Sequence, residues 1–390
     1  MRSVELFSGC GGLALGTARA GFRHARMVEW DADACATLAL NKLNKVEHAR
    51  DWPFVQCDVR AIGWADVGGV VDLVAGGPPC QPFSIGGKHL GDNDARDMWP
   101  EAIRAVRELR PAAFLFENVR GLARPAFAGY LSWIAAHLAV PSVRRRKDED
   151  HAAHVERLLR LMRCVECNVA EYDVIVLKVN AADFGAAQKR HRVVVAGVRR
   201  DLGLALTVPV STHSRERLLW DKWISGDYWR RHGLWMPTSG PEMDGDRRAV
   251  MRLRAGRVRP MESPWRTVRD AIAGLGAPDG CNNHFFQDGA RAYAGHTGSP
   301  LDEPAKALKA GDHGVPGGEN MMVRDDRSLR YFTVRETARL QGLPDDWSFS
   351  ASWTESMRQL GNAVPVQLAE ALGRWIRQTL MSSPASRRAA

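Results

Sequence analysis

Short apolar runs alternate with amphipathic stretches through the first two hundred residues. Strands buried on both faces read as continuous or β-branched apolar runs. On that basis strands are predicted at Val4–Phe7, Met27–Glu29, Val70–Ala75, Ala113–Phe116, Tyr172–Val179 and Val193–Val198. Helical spacing between them predicts helices at Gly11–Ala20, Asp33–Leu43, Pro100–Leu109 and Tyr130–Leu138. Strand and helix in alternation imply an α/β fold around a mostly parallel sheet. Residues 141–167 interrupt the pattern. Pro141 and the run Arg144-Arg145-Arg146-Lys147 pass into acids and an amphipathic helix around Val155–Met162, as a surface insertion would. After Arg200 the chain turns rich in Gly, Pro, Trp and charge, and residues 201–329 are expected to form a second, smaller and irregular domain. Regularity then returns. Thr333-Val334-Arg335-Glu336 fits a capping box, Gly361 a helix stop, and Pro365 the start of a last helix over 364–380. This segment is expected to pack back on the first domain, which then comprises 1–200 and 330–390.

Composition narrows the class. At 390 residues, 45% hydrophobic and 25% charged, the chain is long enough for two cores and too apolar for wholesale disorder. No apolar run approaches the roughly 18 residues of a membrane span, and the opening MRSVELFSGCGG carries no secretory leader. Seven scattered cysteines, an odd number, argue for a reducing cytoplasm rather than a disulfide framework. Lys and Arg outnumber Asp and Glu by 54 to 45, a net +9, which favours a polyanionic partner. The surplus concentrates in Arg247–Arg269, where eight arginines face the single acid Glu262, with Trp265 and two prolines among them. Such a stripe is either a solvated face or a nucleic-acid groove with Arg252, Arg254, Arg257 and Arg259 on phosphates.

The chemistry-bearing residues cluster at predicted strand ends. Phe7-Ser8-Gly9-Cys10-Gly11-Gly12 follows the first strand and opens a helix, and Gly9, Gly11 and Ala14 satisfy the loose G-x-G-x-x-G/A pattern. Glu29 ends the second strand, where a carboxylate holds ribose hydroxyls. Trp30 offers an adenine face, and Asp58 lies near a third strand end. These features imply an adenosine-containing cofactor and leave NAD and S-adenosylmethionine equally open. The next strand runs into Gly76-Gly77-Pro78-Pro79-Cys80-Gln81-Pro82-Phe83-Ser84. Two prolines stiffen the approach to a cysteine held where open α/β sheets bind ligands. Glu117-Asn118-Val119 closes another apolar strand, and Glu117 is either one half of an ion pair or a functional acid. Gln188-Lys189-Arg190-His191-Arg192 precedes the last strand of the set, and Gly361-Asn362-Ala363-Val364-Pro365 stands near the end. His151, His154, Cys164 and Cys167 are zinc-ligand types, but a ten-residue helix would hold the pairs about 15 Å apart, so no metal is expected.

With these motifs in this order, the sequence resembles the cytosine-C5 DNA methyltransferases of bacterial restriction-modification systems. FSGCGG, PPCQPFS, ENV, QKRHR, RETARLQGLP and GNAVP extend from residue 4 to about 370. The resemblance implies a Rossmann-like cofactor domain with a mixed, mostly parallel sheet, and a target-recognition domain at 201–329. It implies that Cys80 attacks C6 of a flipped-out cytosine, Glu117 contacts N3 and the exocyclic amine, Arg192 holds the base carbonyl, and Arg190 positions the cysteine loop. It implies S-adenosylmethionine held by Phe7, Gly9, Gly11, Gly12, Glu29, Trp30, Asp58, Val59, Asn362 and Val364. The implied partner is double-stranded DNA, met by a monomer in the cytoplasm, with a restriction endonuclease linked genetically. One departure is Ala307-Leu308 where many relatives carry Thr-Leu. A transfer-RNA methyltransferase and a catalytically silent DNA-binding relative are the alternatives.

Overall fold

The computed structural model of the protein describes residues 1–79, 97–163, 169–291, 297–310 and 320–382. In chain order the elements begin β1 (Arg2–Leu6), α1 (Gly12–Arg19), β2 (Arg23–Glu29), α2 (Ala32–Leu43), β3 (Phe54–Gln56) and β4 (Leu73–Gly76). Then come α3 (Trp99–Leu109), β5 (Ala113–Val119), α4 (Ala128–Ala139), α5 (His151–Arg163), β6 (Tyr172–Asn180), β7 (Gln188–Lys189) and β8 (His191–Arg199). The middle of the chain holds β9 (His213–Ser214), α6 (Arg215–Trp223), α7 (Asp227–Arg231), α8 (Asp244–Gly256), β10 (Ser263–Pro264) and α9 (Val268–Ile272). It closes with β11 (Ser299–Pro300), β12 (Ala305–Lys306), β13 (Met321–Val323), β14 (Leu329–Tyr331), α10 (Val334–Leu340), α11 (Trp353–Asn362) and α12 (Val366–Met381). All six predicted strands and five predicted helices of the first two hundred residues are present.

Two compact units emerge, 1–179 with 191–209 and 346–390, and 180–190 with 210–345. The first is built on a seven-stranded sheet of order β3-β2-β1-β4-β5-β8-β6. β1, β2, β3, β4 and β5 pair in parallel, and β8 runs antiparallel to β5. The β-branched and aromatic runs explain the sheet. Val4, Leu6, Val74, Phe114, Phe116, Val193 and Val195 are buried in one core with Trp99 of α3 and Trp133 of α4. Trp99 meets Phe116 edge to face at 5.8 Å. Gly197 on β8 is glycine because the Phe114 ring occupies the space of a Cβ there. α12 packs on α1 through Gly16, where a Cβ would overlap Ala369, and Gly373, where one would meet Ala20 at 2.8 Å. The end of the described chain therefore folds against its beginning, as expected.

Three local expectations are corrected. Gly361 does not stop a helix; it is buried within α11, which runs to Asn362. The insertion is not a free surface excursion. Its helix α5 buries His151, His154 and Leu158, and the Trp133 indole donates to His154 Nδ1 at 3.1 Å. His154 Nε2 in turn bonds the Val143 carbonyl at 3.1 Å, so both ring nitrogens are engaged and neither is left for a metal. Cys164 and Cys167 lie outside the described residues. The expected domain boundaries also shift, with 180–190 and 330–345 grouping with the second unit and 201–209 with the first. Side-chain hydrogen bonds account for this. Gln188 donates to Gln341 and to the Leu340 carbonyl, and Arg335 donates to Asn282 and to the Pro344 carbonyl.

The second unit has strands of only two or three residues among the described ones. β10 pairs with β9, β7 with β12, and β13 lies between β11 and β14. Its core is a cluster of Leu218, Leu219, Trp223, Tyr228, Trp229 and Val250 from α6, α7 and α8. Capping boxes at Thr267–Asp270 and Thr333–Glu336 start α9 and α10, the second as predicted.

Candidate functional site

In the first unit the strand order reverses between β1 and β4, and open α/β sheets bind ligands outside the carboxyl ends of strands at such a point. The turn after β1 has the backbone this requires. Phe7 has φ 58°, Gly9 52° and Gly11 91°, and a Cβ added at Gly9 would meet nothing within 4 Å. Open space beside a glycine turn is room for a ligand to approach the backbone. The turn is braced from behind. A Cβ on Gly11 would strike Trp52 at 2.8 Å, and one on Gly12 would overlap the Val364 carbonyl. Val364 is buried and Asn362 exposed, so the GNAVP segment backs the turn directly.

Glu29 stands at the end of β2. Its carboxylate accepts the Gly9 N–H at 2.6 Å and the Trp30 and Asp31 N–H groups at 2.9 Å. Three backbone donors fix an anionic acceptor while leaving lone-pair capacity for a diol. Beside it the Trp30 indole is 70% exposed, an unusual position for so large a ring. Asp58 caps a single 3-10 turn, Val59–Ala61, by accepting from the Arg60 N–H at 2.9 Å. The Arg60 guanidinium beside it holds its carboxyl below the usual range. Val59 is buried beneath. The open turn, the anchored carboxylate and the bare indole fit an adenosine-bearing ligand.

The other half of the site lies along β4, β5 and β8. β5 and β8 set Val119 opposite Arg192 and Glu117 opposite Val194. Arg192 Nε approaches Glu117 Oε1 at 2.5 Å, both side chains being largely buried. Glu117 is thus an ion-pair member. The carboxyl end of β4 meets this pair. A Cβ on Gly77 would sit 3.6 Å from Glu117 Oε2, and the Asn118 amide donates to the Pro78 carbonyl at 3.2 Å. Asn118 was not singled out by sequence reasoning; its signal was only its place after Glu117. Cys80 lies outside the described residues, following directly on Pro79. Burial pushes the Cys10 and Cys35 thiols up to about 12, which suppresses their thiolates.

Arg190 belongs to the second unit, although it stands two residues from Arg192. It is buried, its guanidinium donates to the Leu308 carbonyl at 2.8 Å, and its N–H donates to Asn180. The basic stripe does not form one continuous face. Arg254 donates to the Trp223 carbonyl at 2.8 Å, and Arg259 lies within 3.7 Å of Asp221 and 3.6 Å of Asp227. Arg252 and Arg257 are exposed and have no acidic partner among the described residues. One group of acids, Asp31, Asp33 and Glu355, is close enough to face a common ion among the described residues, but Arg358 already bridges Asp31 and Glu355.

Comparison with known proteins fits this geometry. Residues 1–139 and 282–378 match the family of C-5 cytosine-specific DNA methylases. The chain is 31% identical over 384 residues to the Type II methyltransferase M.PspPI of Psychrobacter sp. (strain TA137), covering 98% of this chain and 80% of the relative. It is 30% identical over 383 residues to the Type II methyltransferase M.NgoMIV of Neisseria gonorrhoeae, covering 97% of both. Among solved structures, a prophage-encoded E. coli protein assigned as a DNA modification methyltransferase superposes with a TM-score of 0.54 at 23% identity, covering 97% of this chain and 99% of that one. The S. pombe Dnmt2 methyltransferase does so with a TM-score of 0.54 at 16% identity, covering 98% of each. The chain belongs to the C-5 cytosine-specific DNA methylase family. It is an enzyme that transfers a methyl group from S-adenosylmethionine to C5 of cytosine in DNA.

Proposed function

We propose that this enzyme methylates a cytosine within a specific duplex sequence, as the modification partner of a restriction endonuclease in a bacterial cytoplasm, with Cys80 as nucleophile. The observation that carries this reading is the joining of three strand ends: Gly77 against Glu117, Pro78 held by Asn118, and Glu117 paired with Arg192. Among the described residues no helix is long and apolar enough to cross a membrane. The relatives are named as Type II methyltransferases.

The chemistry follows from the ring. C5 of cytosine is a poor nucleophile within a stacked aromatic base, so the base must leave the duplex. The Cys80 thiolate forms a bond to C6, and the displaced electron pair moves through the ring toward N3. Glu117 answers the N3 and amine edge, and Arg192 the carbonyl oxygen. Their ion pair fixes both groups in advance of the charge they stabilise. C5 is now an enamine carbon; Phe7, Gly9, Gly11, Gly12, Glu29, Trp30, Asp58, Val59, Asn362 and Val364 would hold S-adenosylmethionine, whose sulfonium would supply the methyl group as the S–CH3 bond breaks and its electron pair stays on sulfur as the thioether. Loss of the C5 proton then returns electrons to the ring and expels the thiolate from C6. Arg190 ties β7 to the Leu308 segment and so positions the loop around the base. Residues 210–345 read the target sequence, with Arg252 and Arg257 on phosphates and Arg254 and Arg259 buttressing them.

Duplex DNA with 5-fluorocytosine at the target tests the covalent step, because fluorine cannot leave C5 as a cation. A cofactor-dependent adduct that survives denaturing electrophoresis is expected, and none with Cys80→Ser. An adduct that persists in Cys80→Ser would mean another nucleophile.

A further inference from the structure

The second unit contains a pocket of about 390 Å³ lined by His213, Arg231, His232, Ser263, Arg266 and Asp270. It is lined by more positive than negative charge. Asp270, its one acid, is fully occupied: it accepts from the Thr267 N–H and hydroxyl, from Arg231 at 2.9 Å and from His232 Nε2 at 2.9 Å. Arg266 is exposed and has no hydrogen-bond or ion-pair partner among the described residues. The Ser263 hydroxyl likewise has no partner among the described residues, although its N–H bonds the Thr212 carbonyl. The His213 Nδ1 is engaged by the Thr212 hydroxyl at 2.9 Å, and the His213 ring forms part of the pocket lining. Burial and the neighbouring Arg266 charge hold His213 below the usual histidine range, so near pH 7 it offers a neutral hydrogen-bonding nitrogen. One free guanidinium, one hydroxyl and one imidazole nitrogen around a cavity are the donor set of a phosphate site.

The surroundings say whose phosphate. His213 packs on Gly185, where a Cβ would come within 2.7 Å of the ring. Five residues on from Gly185 is Arg190, so at most about 17 Å of chain separates the pocket's wall from the arginine motif. The wall is rigid. Trp265 Nε1 donates to Asp183 at 2.9 Å, and the Thr212 N–H donates to the Asp183 carbonyl at 3.0 Å. Both strands of the β9–β10 pair are thus fastened to the loop that leads into Gln188 and Arg190.

We propose that this pocket binds a backbone phosphate of the DNA substrate, with Arg266 as its charged donor and Ser263 and His213 as neutral ones. The proposal rests on the reading of the second unit as the part that meets DNA. A phosphate contact positions the duplex without reading its sequence, so it acts equally on target and non-target DNA. Arg252 on α8 and Arg257 at its C-terminal cap lie outside this pocket's lining.

The test is the salt dependence of duplex binding by the full-length enzyme with S-adenosylmethionine present. Wild type and Arg266→Gln are titrated with target and non-target duplexes over a range of NaCl concentrations. The slope of log K against log salt should fall in magnitude by about 0.9 in the variant, the contribution of one neutralised phosphate. Binding should weaken by the same factor for both duplexes, and Arg266→Lys, which retains the charge, should retain the slope. An unchanged slope in Arg266→Gln overturns the proposal. So does a loss of discrimination between the duplexes at constant slope, which would make Arg266 a base reader. Inorganic phosphate, titrated alone, covers the other source of the same chemistry: if Arg266→Gln abolishes its binding but leaves the DNA slope intact, the pocket serves a free anion and the proposal fails. Because Arg266 has no intramolecular partner among the described residues, the variant's melting temperature should match wild type. Formation of 5-methylcytosine by wild type separates a failure here from a failure of the functional reading.

Discussion

The two units hold their shapes by different forces. The first is a mixed, mostly parallel sheet whose strands are apolar over most of their length, and burial of that surface holds it. In the second, ion pairs supplement a smaller apolar cluster among short helices and strands. Arg217 pairs with Asp221, Lys222 with Glu303, Arg269 with Asp302, Arg330 with Glu336, and Arg339 with Asp345. The contrast matches the work proposed for each. Methyl transfer needs a nucleophile, an acid and a methyl donor fixed relative to one another, which hydrogen-bonded ladders supply. A surface that reads one sequence among many benefits from segments that change without disturbing a shared core.

Four changes would break or sharpen this contrast. The largest effect is expected at Glu117. Glu117→Gln should lower the rate of methyl transfer by about 100- to 10,000-fold, the range of a positioned acid–base group, in single-turnover assays. The variant also leaves the largely buried Arg192 guanidinium without its anion, so its melting temperature should fall too, and the rate is compared at a temperature where both proteins are folded. A rate within threefold of wild type would remove Glu117 from the chemistry.

Glu336→Gln addresses the second unit's dependence on charge. Gln retains the capping box of α10 but leaves the Arg330 guanidinium, paired at 2.6 Å and almost wholly buried, without its anion. Removing one partner of a buried pair costs about 3–5 kcal/mol. Limited proteolysis should then open sites within 210–345 before any in the first unit.

His137 probes the first unit. It is buried on α4, and neither ring nitrogen has a hydrogen-bond partner among the described residues. Burial, with His154 as the next cause, pushes its pKa down to about 3. An unfolded chain binds a proton at this histidine below about pH 6.5 while the folded one does not, so stability falls as pH drops from there toward 3. The loss is at most about 1.4 kcal/mol per pH unit. Glu5, held above the usual range by burial, acts in the opposite sense, but its contribution cancels between wild type and variant. His137→Leu should therefore show a shallower decline of melting temperature between pH 6.5 and 4.

The smallest change divides the arginine stripe. Arg252→Gln with Arg257→Gln should reduce the salt slope of DNA binding at unchanged melting temperature. Arg254→Gln should instead loosen the α6–α8 contact, by about 1 kcal/mol for its lost bond to the Trp223 carbonyl. Equal slopes in the two sets would show that an intramolecular partner does not decide which arginine contacts DNA.

The contrast also explains what could be read from the chain. Burial leaves a period, so Val4–Phe7 and Ala113–Phe116 fell within one to three residues of the observed strand limits. The residues proposed to hold the cofactor stand out because glycines and acids lie at the ends of those runs. Ion pairs leave no period. Nothing in the spelling of Arg254 and Arg259 separates them from Arg252 and Arg257, because their partners come from 221–227. The boundary at 180–190 was hidden for the same reason: it depends on Gln188 meeting Gln341, 153 residues away. Asn118 escaped notice because its role is one bond to a carbonyl, and a carbonyl has no letter in the sequence. His154 looked like a metal ligand because an indole partner 21 residues earlier is invisible to local spacing.

The notch at Gly16 and Gly373 has a consequence for how the chain is made. The helix that opens after the cofactor turn is covered by the last long helix, more than three hundred residues downstream. At about 5–20 residues per second of synthesis, α1 waits some 20–70 s for its partner. During that interval the segment 210–345 emerges whole and is free to fold as a unit, while the turn at Phe7–Gly12 still lacks Val364 behind it. Bracing of the turn proposed to hold the methyl donor is thus a late event in building the enzyme, and a chain released from the ribosome before α12 lacks that brace.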